Sequence, residues 1–437
     1  MDIPYRHKVF YRGCNWIFGR PAFSVRRSAL GARRRKRLVH ATFRSSLPTL
    51  MSDFFQHGLI STLHRLVDGP LIGRHESLPT LESVVLVLPC HYAEIGTAAL
   101  NGIVENLNKA TFLSRVVVSM NGIPDQLTRE VQLFWSKLKK SHVVLWNDSP
   151  NLLEQLARQG LPFNPGKGLN LWLAFGWLAA NQSSGTVLVH DCDIANYILD
   201  LPLTLALPVA RLGYSFCKGY YSRVQQELFG RVTRLFVIPL VRSLVRVLGH
   251  MPLLDFIDSF RYPLSGEYSM SFDTAMNLPI ESGWALEIGS LCDLHRNLDP
   301  KAICQVDLAM PFNHKHQNLD PAQPGRGLLR TASEIAGSLL THLEREGTSF
   351  DGKTLESLVQ TYKTVSNDFV RRYQDVANLN SLPFDLSRET GAAKAFSETL
   401  NVVCLDFLQG RRSGSLPPWR RMLQTKRTVE LSIIAEA

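Results

Sequence analysis

The sequence has no run of about 20 uninterrupted apolar residues, the length a membrane-spanning helix needs. Its most apolar long stretch, residues 235–257, is broken by Arg242, Arg246 and His250, and no transmembrane helix is expected. The 7 cysteines, Cys14, Cys90, Cys192, Cys217, Cys292, Cys304 and Cys404, are odd in number and scattered, without a CxxC pair. That pattern offers neither a disulfide framework nor a zinc knuckle, and it suits a reducing, cytoplasmic setting. Internal repeats and low-complexity tracts are missing too. So is a P-loop: in GxxxxGK[ST], Leu161 would have to be glycine and Gly168 serine or threonine.

Net positive charge is missing from most of the chain, although the formal total is +10. Residues 1–50 hold 12 Lys and Arg against one acid, Asp2, so they carry +11 and residues 51–437 carry −1. A nearly neutral body argues against a nucleic-acid partner, whose footprint would be a basic face on the folded part. Residues 1–50 have three readings: a transit peptide, a basic arm, or an upstream extension ahead of Met51, which is the reading adopted here.

At 437 residues, 45% hydrophobic and 20% charged, the chain has room for two or three globular domains. Residues 52–66 carry an amphipathic pattern that predicts a helix. Residues 83–88, SVVLVL, are apolar on both faces and predict a buried parallel strand. Further strands are expected at 114–118, 143–146, 187–193, 214–221 and 303–310. Helices are expected at 94–110, 125–140, 152–159 and 169–180, and from 230 towards 248. This alternation predicts an α/β doubly wound, mostly parallel sheet with helices on both faces. Ligands of such sheets bind beyond the carboxyl ends of the strands, the edge where Pro89, Ser119, Asn121 and Asp191 fall. Three long helical segments near 325–345, 355–378 and 392–408 predict a helical C-terminal appendage that could serve as a dimer surface.

The chemistry-bearing candidates lie on this frame. VLVHDCD, residues 187–193, ends an apolar strand in Asp191 and Asp193, whose i, i+2 spacing in an extended segment would point both carboxylates one way, towards a divalent cation. A strand end with an Asx turn explains such a pair equally well. Lys167, flanked by glycines at a helix start, could meet an anion, or be an ordinary loop lysine. Gly230, Arg231 and Thr233 could converge on a phosphate at a helix N-terminus, or form a solvated turn. Glu287 sits among apolar residues, where a carboxylate must be partnered or functional. His314 and His316 could supply a metal ligand.

Taken in order, Pro89 at a strand end, PGKG, HDCD, GRVT, PLSGEY, LEIG and an HKHQ loop resemble the glucosyl-3-phosphoglycerate synthases, retaining glycosyltransferases with a GT-A fold. The mannosylglycerate-forming synthases share part of the pattern. The motifs span residues 53–319, and the likeness continues more loosely beyond. It implies a nucleotide-sugar half over 51–225, an acceptor half over 226–320 and a helical region over 321–437.

The same resemblance implies residue roles. Pro89, Cys90, His91 and Ser119 would border the nucleotide, Lys167 would meet its diphosphate, and Asp191 the ribose. Leu264 and Glu287 would contact the hexose. Asp193 and His314 would ligate Mg2+ or Mn2+. Gly230, Arg231, Thr233, Ser265, Gly266 and His316 would hold 3-phosphoglycerate. Glu287, Lys167 and Asp193 are the catalytic candidates, and the assembly would be a homodimer. The sequence departs from the family pattern in Tyr92-Ala93-Glu94, which displaces an acid, in Cys192 within the DxD, and in Phe312 and His316 beside the metal histidine. A mannosyl or broader hexosyl donor, or an inactive scaffold of the same fold, are the alternative readings.

Overall fold

Both faces of the run VVLVL are buried. Val85 and Val87 enter one hydrophobic core, while Val84, Leu86 and Leu88 enter the other, as strand alternation requires. The computed structural model describes residues 56, 58–66, 71, 83–161, 165–281, 283–308, 325–427 and 429–437. The strands are β1 (Ser61–Leu63), β2 (Val84–His91), β3 (Leu113–Asn121), β4 (His142–Trp146), β5 (Thr186–Val189), β6 (Phe216–Tyr220), β7 (Tyr268–Ser271), β8 (Ile280–Glu281), β9 (Ile303–Asp307), β10 (Ser415–Leu416) and β11 (Ile433–Glu436).

Nine of them make one sheet in the order β1-β9-β6-β7-β5-β2-β3-β4-β11, and β8 pairs with β10 separately. Pairing is parallel except where β7 meets β5 and β6 and where β11 meets β4. Helices cover both faces, so the expected GT-A-type α/β architecture is present. Truncating a fully buried side chain such as Leu86 would cost about 2–5 kcal/mol.

Between β2 and β5 the sequential order of strands reverses, which creates the crevice where doubly wound sheets bind ligands. The register widens that crevice. β2 pairs with β5 only as far as Val87 opposite Val189, yet it continues along β3 to His91 opposite Asn121. Pro89, which has no N–H to give to a ladder, therefore falls where β5 has already ended.

Two expectations change. Part of residues 52–66 is a strand: β1 pairs with β9 through Ser61 and Cys304, and Gln305 Nε2 donates to the buried Thr62 hydroxyl, 3.0 Å away. The apolar spacing was too short to separate a helix from a strand whose partner lies 243 residues on. Next, β5 stops at Val189, so Asp191 and Asp193 stand on the following loop rather than on the strand. The expected helical C-terminal region is present as Gly327–Arg345, Gly352–Leu379 and Leu386–Leu408. They share one core with the sheet and with helix Ile238–Leu248, and the buried Tyr362 hydroxyl donates to Leu235 O at 2.6 Å.

Candidate active site

A cleft of about 940 Å³ opens at the crevice, and Pro89, Cys90, His91, Lys167, Asp191, Asp193, Gly230, Arg231, Thr233, Leu264, Gly266 and Glu287 all border it. Ser119 and Ser265 are fully buried behind its wall. Ser119 donates to Asn170 O at 2.6 Å, and Ser265 to the Glu267 carboxylate at 2.9 Å. His314 and His316 lie outside the described residues.

The donor end is built on helix Lys167–Asn181, whose residues 168–178 are buried all round. An apolar helix of this kind is locked in the core, and its first residue projects from a rigid base. Lys167 Nζ lies 2.6 Å from Asp191 Oδ1 and 3.1 Å from Glu287 Oε1. Burial alone would depress the ammonium pKa, but Asp191 and Glu287 together reverse the effect and hold it well above the ordinary lysine value. Gly266, which the resemblance assigns to the acceptor, sits against this donor-end pair: a Cβ there would meet Lys167 Nζ at 2.5 Å and Asp191 Oδ2 at 2.6 Å. The helix start is tied to β3 by amides, with Asn170 Nδ2 on Asn121 Oδ1 at 2.8 Å and Asn147 Nδ2 on Asn170 Oδ1 at 2.9 Å.

The loop carrying the two aspartates is fixed from behind by His190. Its Nδ1 is 2.9 Å from Asp191 O and its Nε2 3.0 Å from the Tyr197 hydroxyl. A carbonyl can only accept, so Nδ1 carries the proton and Nε2 accepts from the phenol. Burial lowers the His190 pKa to about 4, which keeps this tautomer neutral. Cys192, between the aspartates, is buried. Glu94, the displaced acid, is buried and still borders the cleft.

Behind the donor end lie two charged groups to which the motifs alone assigned no role. Glu267 is fully buried, with Oε2 accepting from Tyr221 at 2.7 Å. Oε1 has no hydrogen-bond partner. Burial, reinforced by Asp191, raises its pKa to about 7. Lys218 on β6 donates to Ser265 O at 2.8 Å, and burial lowers it to about 8. No alternation in the sequence marks this lysine, since β6 is buried at every position.

At the opposite end the chain leaves Gly230, at φ 74°, into a π-helical turn, Val232–Val237, that runs on into helix Ile238–Leu248. Arg231, Val232 and Thr233 all border the cleft, as the first residues of a helix whose N-terminus opens on it can, although i and i+2 do not share a helix face. The Tyr262 phenol hydrogen-bonds with Arg223 and Thr233. Arg231 Nε donates to Glu389 Oε1 at 2.6 Å, and Arg234 Nη2 to Glu389 Oε2 at 2.9 Å. Arg388 bonds Glu227, whose carboxylate also lies 3.9 Å from Arg231.

The two ends have opposite charge. Among the described residues that border the cleft, Asp191, Asp193 and Glu287 outnumber the ammonium of Lys167 at one end, with Lys218 buried behind it. Arg223, Arg231, Arg234 and Arg388 surround Glu227 and Glu389 at the other. An anion is repelled at the first end unless a cation joins it, and it is attracted at the second without help. The carboxylate oxygens also fit a hard divalent ion. Among the described residues no three His, Cys, Asp or Glu converge on one point.

No family model matches the chain. Among curated proteins it is 33% identical over 375 residues to the glucosyl-3-phosphoglycerate synthase of Persephonella marina, covering 82% of this chain and 91% of that protein. To the glucosyl-3-phosphoglycerate synthase of Methanococcoides burtonii it is 32% identical over 387 residues, covering 85% of this chain and 94% of that one. Among solved structures it is similar to glucosyl-3-phosphoglycerate synthase from Mycobacterium tuberculosis. The complex with Mg2+ and uridine diphosphate has 25% identity and a TM-score of 0.47, covering 65% of this chain and 86% of that one. For the complex with Mn2+, uridine diphosphate and phosphoglyceric acid the values are 24%, 0.48, 67% and 88%.

Proposed function

The chain belongs to the glucosyl-3-phosphoglycerate synthase family, and from that membership we propose that it transfers glucose from UDP-glucose to 3-phosphoglycerate with retention of configuration. The observation that carries the reading is the polarity of one cleft, a carboxylate-rich end facing an arginine-rich end. A nucleotide diphosphate sugar with its divalent cation suits the first, and a phosphorylated acceptor suits the second.

When bound, Mg2+ or Mn2+ would neutralise charge developing on the departing diphosphate. Asp193 would be its direct protein ligand together with His314, because Asp191 is already engaged by Lys167 at 2.6 Å and is better placed to meet the ribose. Lys167 stands where it can oppose the same developing charge. Glu287 shares the ammonium at 3.1 Å, which suits a carboxylate that orients sugar hydroxyls while the acceptor attacks from the face the diphosphate leaves. At the far end Arg231 would bind the acceptor phosphate through its planar fork, beside Thr233 and the backbone at Gly230.

The reading also includes a homodimer, supported by exposed Val402, Leu405 and Leu408 on helix Leu386–Leu408. A cytoplasmic setting is supported by the six described cysteines, all of them free. Among the described residues no helix is long and apolar enough to cross a membrane. Release of UDP with 3-phosphoglycerate and Mg2+ or Mn2+ is the test, with GDP-glucose and GDP-mannose as competing donors. No turnover with any nucleotide-linked glucose would refute it.

A further inference from the structure

Glu389 belongs to helix Leu386–Leu408, in the layer that the sequence offers as an appendage, yet its carboxylate is 2% exposed and divided between two arginines of the cleft wall. One oxygen takes Arg231 Nε at 2.6 Å and the other Arg234 Nη2 at 2.9 Å. Arg234 is itself fixed by Phe229 O at 2.8 Å, by Leu228 O at 3.2 Å and by stacking on Tyr373, 4.7 Å from the ring centre. The chain of contacts runs from backbone through Arg234 and Glu389 to Arg231. Arg231 Nη2 is buried, has no hydrogen-bond partner and lies 3.9 Å from Glu227 Oε2. A buried guanidinium nitrogen left in this way has lost its water without replacement, and it belongs to a side chain that borders the cleft.

We propose that Glu389 is a positioning residue for the acceptor: through Nε it holds the Arg231 guanidinium at the cleft wall, where the phosphate of a small phosphorylated hydroxy acid would meet it. This rests on the reading of the arginine-rich end as the acceptor site. Charge favours it as well. One carboxylate shared by two guanidiniums orients both without cancelling them, and with Arg223 and Arg388 the four arginines still exceed Glu389 and Glu227 by two charges, so a dianion gains on entering.

Calorimetric titration of the full chain with 3-phosphoglycerate, and separately with UDP and Mn2+, tests the role without needing turnover. Glu389→Gln should weaken 3-phosphoglycerate binding by about ten- to a hundredfold, the scale of one charge-assisted hydrogen bond. UDP binding should stay within about twofold, since the donor end is untouched. In an Arg231→Ala background, Glu389→Gln should add nothing to the loss, because it acts through Arg231. If the Gln variant does not fold, Glu389→Asp, which keeps the charge and shortens the reach, gives the same readings.

Acceptor binding unchanged by both variants, or losses that multiply in the double variant, would overturn the proposal, as would a wild-type chain that does not bind 3-phosphoglycerate. A wild-type chain that binds it but transfers no glucose refutes the transferase reading and leaves Glu389 to be judged on binding alone.

Discussion

Replacing Gly266 with alanine probes the donor end with a single methyl group. Its Cβ would lie 2.5 Å from Lys167 Nζ and 2.6 Å from Asp191 Oδ2. Ordinary contact needs roughly 3.5 Å, so one or both groups must retreat by about 1 Å. Lys167 ends a flexible side chain, but its ammonium is held by Asp191 at 2.6 Å and Glu287 at 3.1 Å. Asp191 is fixed at its carbonyl by His190. The strain therefore passes into the one ion-pair network that is to face the departing diphosphate. Overpacking of this kind costs about 1–3 kcal/mol in stability, which leaves a chain of this size folded. A misplacement of about 1 Å at a reacting centre costs about 10²-fold in rate. The expected result is kcat lowered about a hundredfold in the UDP-release assay with a melting temperature only a few degrees down. A variant that folds and keeps kcat within about threefold of wild type would show that the Lys167–Asp191 geometry has no part in the transition state.

Asp193→Ala should reduce metal-dependent turnover by at least about 10²–10³-fold, the loss typical of a group that stabilises developing charge, while circular dichroism stays native; retained turnover would remove it from the metal site. Arg231→Ala should raise the 3-phosphoglycerate KM and leave the UDP-glucose KM alone, and equal effects on both would contradict the division of the cleft. Glu267 gives a pH signature, because its pKa is raised to about 7. A raised carboxyl contributes stability fully present below its unfolded value and lost as pH rises through the folded one, here between about 4.5 and 7, a swing of about 3 kcal/mol. Glu267→Gln should therefore gain on wild type in melting temperature as pH rises from 5 to 8, and parallel curves would refute the assignment.

Local information carried the central strands. β2 and β3 were legible because apolar runs buried on both faces admit few alternatives, and the cleft lies at the strand ends where Pro89 and Asn121 placed it. Short strands were not legible: β8 and β10 have two residues each, and β1 takes its conformation from β9. Asp191 and Asp193 were found, but not the loop they occupy, since sequence does not say where β5 loses its partners. The motif GRVT pointed to Arg231, whereas its partner Glu389 is 158 residues away and carries no motif of its own. Contacts of that separation are set by packing of the whole chain, which local spacing does not encode.

The opposite charge of the two cleft ends has a consequence for encounter kinetics. A phosphorylated acid approaching the arginine-rich mouth is steered by an attractive field that weakens as salt rises. A nucleotide sugar meets no such field at the carboxylate-rich mouth. Association of the acceptor should therefore accelerate in dilute buffer while that of the donor does not, and the two substrates would compete for no common guiding charge. Ionic strength alone would then tilt which of them arrives first.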